Sequence, residues 1–281
     1  MNNPFRFLVL CGAAMTGPAL PALAAEPTDS AVFSFQIEND APMQIDRHYT
    51  NGLRFAWLTE PLPTERAERW AAHTAAVRTR GQRDAAEART TATDFVPAAD
   101  LFGALHEVLP DDSICVDEIV AQVPQMIQFL YERKPLTQYR GWAGALGMSL
   151  GTALGAKLAR PERTVVAIVG DGAWHYNPVA AALGFAQEYG LPLLIVLCNN
   201  EQYASQTWNV LRYYPDSAAV RDNNFVGDVI APTPDYVKVV EAYGGAGERV
   251  QTPAALGPAL ERALQAVTSG RTFLLDVRVR P

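Results

Sequence analysis

The residues of this chain whose types and spacing could do chemistry are Gly170-Asp171-Gly172 and, further on, Asn199-Asn200. Glycines let the backbone come close to a ligand, and Asp171 offers a hard carboxylate oxygen. Add an asparagine amide oxygen and a backbone carbonyl, and the donor set suits a small hard cation. Mg²⁺, completed by substrate phosphate oxygens and water, fits that set best. Taken singly, each piece is an ordinary loop, because Gly-Asp-Gly is a common turn and Asn-Asn commonly opens a loop. Together, in order and at the ends of successive strands, they point to a site.

The elements that must position them are legible on either side. Thr164 to Val169 (TVVAIV) is a continuous β-branched run, as expected of a strand buried on both faces. Pro192 to Leu197 (PLLIVL) reads as the next buried strand. Between them Pro178 to Tyr189 reads as a helix, with Asn177 as N-cap, Pro178 at its first position and Gly190 as its stop. Strand, helix, strand with short connections gives a parallel sheet with right-handed crossovers. In such a sheet ligands bind at the carboxyl ends of the strands, which is where Asp171 and Asn200 fall. The helix adds backbone amides and a positive dipole end on the same edge. Further helices are predicted over Phe95 to Val108, Asp235 to Tyr243 and Pro253 to Thr268, and further strands over Ile114 to Val116 and Thr272 to Val279. The fold class is therefore α/β, an open parallel sheet flanked by helices, over residues 94–281.

The front of the chain differs. Arg6, the apolar run from Phe7 to Leu10 and the Ala22-Leu23-Ala24 end form the pattern of a secretory signal over residues 1–25, in preference to a disordered apolar terminus. Residues 26–62 read as a short β-rich fragment, with Phe33, Phe35 and Ile37, then Leu53, Phe55 and Trp57, at alternating positions. Residues 63–93, rich in Ala, Arg and Glu, suit either an exposed helix or a mobile linker. A net charge of −7 without a basic stripe argues against nucleic acid as a partner. Three cysteines, Cys11, Cys115 and Cys198, lie too far apart for a metal motif, and no two of the four histidines fall at i, i+4.

Gly170 to Tyr203, GDGAWHYNPVAAALGFAQEYGLPLLIVLCNNEQY, resembles the thiamine diphosphate (ThDP) motif that opens with GDG and closes with NN. Its flanks are similar to the acetolactate synthase and benzoylformate decarboxylase type of enzyme: YRGWAGALGMSLGTALGA before it, DYVKVVEAYGG and FLLDVRV after it. The likeness covers about Trp70 to Pro281. It implies that Asp171, the Asn200 side chain and the Gln202 carbonyl hold Mg²⁺. The cofactor-binding set it implies is Gly170, Asp171, Gly172, Ala173, Leu146 and Asn200, with the Gly172 and Ala173 amides receiving the diphosphate. Leu146 aligns with the bulky apolar residue that props the cofactor rings into a bent V, although a plain core leucine fits the sequence equally well. Glu118, in the Val-Asp-Glu after a strand, is a candidate to face the reaction centre, against the default of an exposed loop carboxylate. The chemistry implied is decarboxylation of a 2-oxo acid, or carboligation of the resulting carbanion, with the cofactor as electron sink.

Members of that family also use a second domain, which binds the pyrimidine ring and supplies an activating glutamate, usually from the partner subunit of a dimer. Nothing upstream of Trp70 reads as that domain. The expected partners are a small 2-oxo acid and either a second copy or a subunit carrying the pyrimidine-binding domain, and the chain alone is expected to be inactive. Instead, FSFQIENDAPMQIDRHYTNGLRFAWL, Phe33 to Leu58, resembles the start of the outer-membrane lipid A deacylase family. Asn39 and Asp40 match that family's active-site pair, which works with a later histidine that this chain lacks. The likeness covers about two strands, too few to close a barrel. The chain thus reads as a chimera joined near Pro61–Arg66. Its signal implies export to the periplasm or outer membrane, whereas its α/β part resembles a cytoplasmic enzyme.

Overall fold

The computed structural model describes the backbone of Val32–Glu38 and Gly52–Leu58, scattered helical positions between 68 and 83, and residues 94–130, 137–140 and 145–280. The expected signal peptide, Asn39, Asp40 and the junction near Pro61–Arg66 lie outside these residues. Contacts divide the chain into units Met1–Ala71 and Ala72–Pro281. In the first unit, β1 (Val32–Glu38) pairs antiparallel with β2 (Gly52–Leu58), Val32 opposite Leu58 and Glu38 opposite Gly52.

The second unit holds a six-stranded sheet, every neighbouring pair of which is parallel. Its strands are β3 (Ile114–Glu118), β4 (Gln138–Arg140), β5 (Val165–Gly170), β6 (Leu194–Asn199), β7 (Ala246–Val250) and β8 (Phe273–Arg278). They lie in the order β4-β3-β5-β6-β8-β7. The four central strands are buried along nearly their whole length because both faces are covered, and polar residues enter only toward their carboxyl ends. Val166 and Ile168 face one helical layer, formed by α1 (Ala98–Val108), α2 (Val123–Leu130) and the later α9 (Pro253–Thr268). Val165, Ala167 and Val169 face the other, formed by α3 (Ser149–Ala159) and α5 (Val179–Glu188) together with α8 (Tyr236–Glu241). Between these lie the one-turn α4 (Asp171–Trp174), then α6 (Ala204–Tyr213) and α7 (Ala218–Arg221). Alternate residues feeding opposite layers is the period-two arrangement of a strand.

Strand order makes the site. From β3 the chain crosses to β4 on one side, then returns to β5 on the other side of β3. The connections leaving β3 and β5 therefore diverge, opening a crevice above their carboxyl ends. Glu118 ends β3, Gly170 ends β5 and Asn199 ends β6, so all three reach the same edge.

One sequence expectation needs correction. Asn177 does not cap the helix that follows it: Pro178 occupies the N-cap of α5, with no side-chain cap bond. The Asn177 side chain turns instead to α3, where its Oδ1 accepts from the Leu150 N–H at 3.1 Å. Gly190 does stop α5, at φ +61°, with the Leu191 N–H closing onto the Ala186 carbonyl.

Candidate functional site

Asp171 is the first residue after β5 and is only 2% exposed. Its Oδ1 accepts from the Gly172 N–H at 2.9 Å, and its Oδ2 from the Glu201 N–H at 2.6 Å. Burial raises its carboxyl to about 6, and those two amides pull in the opposite direction. The second bond reaches across from β5 to the loop after β6. In that loop the Asn200 Oδ1 accepts from the Gln202 N–H at 3.1 Å. Gln202 forms an isolated antiparallel bridge with Val229. The two hydrogen bonds of that bridge run from Tyr203 N–H to Asp228 O and from Ile230 N–H to Glu201 O, so neither uses the Gln202 carbonyl.

Asp171, Gly170, Gly172, Ala173, Asn200, Gln202 and Leu146 all line one cavity of about 70 Å³, together with Glu118. The structure thus gathers the candidate residues of the α/β unit around a single space. Gly172 carries no side chain for a steric reason: a Cβ there would lie 2.7 Å from the Tyr203 ring. Tyr203, which the sequence did not single out, packs edge-to-face against Tyr176 at 6.4 Å. Leu146 is 37% exposed on the cavity wall, which excludes the core-leucine alternative. It also borders a second hollow of about 460 Å³ with Tyr176, Tyr203, Val210 and Phe225.

Glu118 departs from expectation. It is buried, so it is no exposed loop carboxylate, and both of its oxygens are engaged. Oε1 accepts from the Gly147 N–H, while Oε2 accepts from Met148 N–H at 3.2 Å, Ser149 N–H at 2.8 Å and Asn177 Nδ2 at 3.0 Å. These amides sit at the start of α3, where backbone N–H groups have no partner within the helix. Glu118 is therefore a clasp for that helix, set on the wall of the same cavity. Gly147 makes the approach possible at φ +98°, and a Cβ there would meet the Tyr176 carbonyl oxygen at 2.5 Å. Asn177 completes the clasp, bonding Glu118, the Leu150 N–H and the Ala173 carbonyl. It thereby ties β3, α3 and the turn after Asp171 together.

Behind the loop after β6 lies a set of ion pairs. The Glu201 carboxylate accepts from Arg278 Nη1 and from Arg249 Nη2, the latter at 3.1 Å. Arg278 holds the Glu201 carboxyl below the ordinary carboxylate range. Arg249 also faces Asp276 at 3.5 Å, and Asp276 Oδ1 accepts from Asn199 Nδ2 at 2.8 Å.

Fold and site together define a doubly wound α/β domain with a ligand crevice at its topological switch point. The model of the family described as "Thiamine pyrophosphate enzyme, C-terminal TPP binding domain" matches residues 115–277, and the chain belongs to that family. A second family, described as "Outer membrane protein LpxR", matches residues 7–96, which extends the N-terminal likeness beyond β2. Among curated relatives, the acetolactate synthase isozyme 3 large subunit of Escherichia coli is 33% identical over 55% of this chain and 26% of its own length. Benzoylformate decarboxylase of Pseudomonas aeruginosa is 32% identical over 63% of this chain and 31% of its own. The solved ThDP-dependent 4-hydroxybenzoylformate decarboxylase of Rhodococcus jostii RHA1 superposes with TM-score 0.58 at 26% identity, covering 67% of this chain and 33% of that one. The chain spans about a quarter to a third of the length of these relatives.

If Glu118 is a clasp, Glu118→Gln turns an amide donor toward backbone donors and costs about 2 kcal/mol of stability. A urea unfolding curve measures this as a lowered midpoint at unchanged slope, and an unmoved midpoint would show that the clasp carries no stability.

Proposed function

We propose that this chain binds thiamine diphosphate through Mg²⁺, with the Asp171 carboxylate, Asn200 Oδ1 and the Gln202 carbonyl as protein ligands. The observation that supports this is their convergence, with Gly172 and Ala173, on one cavity at the switch-point edge. The donor chemistry fits the ion: one buried carboxylate, one amide oxygen and one carbonyl outside the bridge bonds, all hard oxygens. Among the described residues no cluster of three His, Cys, Asp or Glu side chains could hold a metal, which a set with one charged ligand accommodates. Gly170, Gly172 and Ala173 line the place where a diphosphate would lie, and Leu146 stands on the wall where it would support the cofactor rings. When bound, the cofactor supplies an electron sink for cleavage or formation of the bond next to a 2-oxo group. The chain's own residues bind, orient and neutralise charge.

The substrate class is a small 2-oxo acid, in keeping with relatives named for acetolactate synthesis and benzoylformate decarboxylation. Completion of the site falls to a second copy or to a subunit with a pyrimidine-binding domain. The exposed Leu146 and Tyr176 on the cavity walls support such a pairing.

Calorimetry tests the ligand set directly. ThDP is expected to bind more tightly with Mg²⁺ than without, and Asp171→Ala is expected to abolish that difference. Metal-independent binding unchanged by the substitution would remove Asp171 from the role.

The pH dependence follows from the raised carboxyl of Asp171. Its proton favours the cation-free fold, a stabilisation present below the ordinary carboxylate value and lost as the pH rises through about 6. The cation needs the ionised form, so apparent Mg²⁺ affinity should be level above pH 6 and fall about tenfold per pH unit below it. A flat Mg²⁺ titration between about pH 5 and 8 would contradict this assignment.

A second reading, an exported remnant of a lipid A deacylase, draws on the match over residues 7–96. Among the described residues no helix is long and apolar enough to cross a membrane. Membrane fractionation separates the two readings. Heat-modifiable migration in the outer-membrane fraction would favour the remnant, and recovery outside membranes favours the ThDP-binding domain.

A further inference from the structure

Glu201 is one of two non-glycine residues with positive φ among the described residues, at +58°. A residue with a Cβ adopts that conformation only when its surroundings fix it. Here they do so at every polar group. The Glu201 N–H points at both Asp171 Oδ2, 2.6 Å away, and Asn199 Oδ1, 3.2 Å away. Its carbonyl accepts from the Ile230 N–H at 2.9 Å. Its carboxylate is gripped by Arg249 and Arg278. The circuit then closes on itself: Arg249 faces Asp276, Asp276 accepts from the Asn199 amide, and Asn199 accepts from the Glu201 N–H.

Sheet register builds this circuit. Arg249 of β7 pairs with Asp276 of β8, and Asn199 of β6 pairs with Arg278 of β8. Two guanidinium groups and two carboxylates are thus set side by side at the carboxyl edge, directly behind the loop carrying Asn200 and Gln202.

We propose that Arg249, Arg278 and Asp276 are positioning residues for the cation site, acting through Glu201. Arg249 and Arg278 clamp its carboxylate, Asp276 orients Arg249 and Asn199, and together they hold residue 201 in the left-handed conformation. That conformation aims its N–H at Asp171 and sets Asn200 and Gln202, on either side of it, toward the cavity. None of the three touches the ion. The inference rests on the cation site proposed above and adds what keeps its loop in shape.

Arg249→Met/Arg278→Met tests it, with and without Glu201→Gly, since glycine takes positive φ without a Cβ penalty. Mg²⁺ is titrated calorimetrically into each chain saturated with ThDP, and hydrogen exchange is followed over residues 198–204 without ligands. The paired arginine variant is expected to need about tenfold more Mg²⁺ for half-saturation and to exchange faster over the loop. Adding Glu201→Gly should bring the Mg²⁺ requirement back to within about twofold of the parent, because the clamp is then no longer needed. ThDP affinity without Mg²⁺ should not change. An unchanged Mg²⁺ requirement overturns the proposal, as does a failure of glycine to restore it. A lower requirement also overturns it, being the electrostatic result of leaving Glu201 and Asp276 unneutralised. If the paired variant does not fold, Arg278→Met alone, which keeps the Arg249–Asp276 contact, is read by the same criteria. Absence of any Mg²⁺-dependent binding in the parent chain would instead defeat the cation site itself, while slow loop exchange in the arginine variant would defeat only the clamp.

Discussion

A carboxylate buried at the end of a central parallel strand is costly to keep ionised, and the arrangement around Asp171 follows from that cost. Backbone amides offset it, chiefly Gly172 from its own turn and Glu201 reaching over from the loop after β6. The second is available because residue 201 holds an unusual backbone conformation, and that conformation is anchored by side chains from β7 and β8. A single carboxylate just after β5 thereby links four strands at one edge of the sheet. A cation bound beside Asp171 would remove the penalty that the protein alone leaves partly unmet.

Much of this was legible in the sequence, and the rest was hidden for physical reasons. The central strands announce themselves because burial on both faces demands unbroken apolar runs, as in TVVAIV and PLLIVL. Edge strands do not: Gln138–Arg140 and Ala246–Val250 are polar and partly exposed, so they resemble loops. Helix α3 is hidden by Gly151 and Gly155, which lower helix propensity on its exposed face. Gly170, Asp171, Gly172 and Asn200 could be located because their chemistry and strand-end position coincide. Glu201 could not, since nothing in a glutamate's identity signals a positive φ. Asn177 looks like a local cap because caps usually act on their own helix, whereas its partners are distant in sequence.

The two families that match this chain meet in one polypeptide, with the LpxR likeness ending at residue 96 and the thiamine pyrophosphate likeness beginning at residue 115. Each carries its own physical logic. Among the described residues β1 and β2 pair with each other alone, whereas the α/β unit covers both faces of its central strands and closes its core within itself.

The clasp made by Glu118 has an electrostatic corollary. The start of α3 follows Leu146 of the cavity wall, and a free helix N-terminus there would present about half a positive charge to an incoming anion. Glu118 already occupies those amides, so this potential is quenched before any ligand arrives. In the proposed complex, the Gly172 and Ala173 amides and the accompanying Mg²⁺ would then be left to attract the polyanion, and α3 would add little. A diphosphate already neutralised by its metal would suit such a crevice better than a bare one.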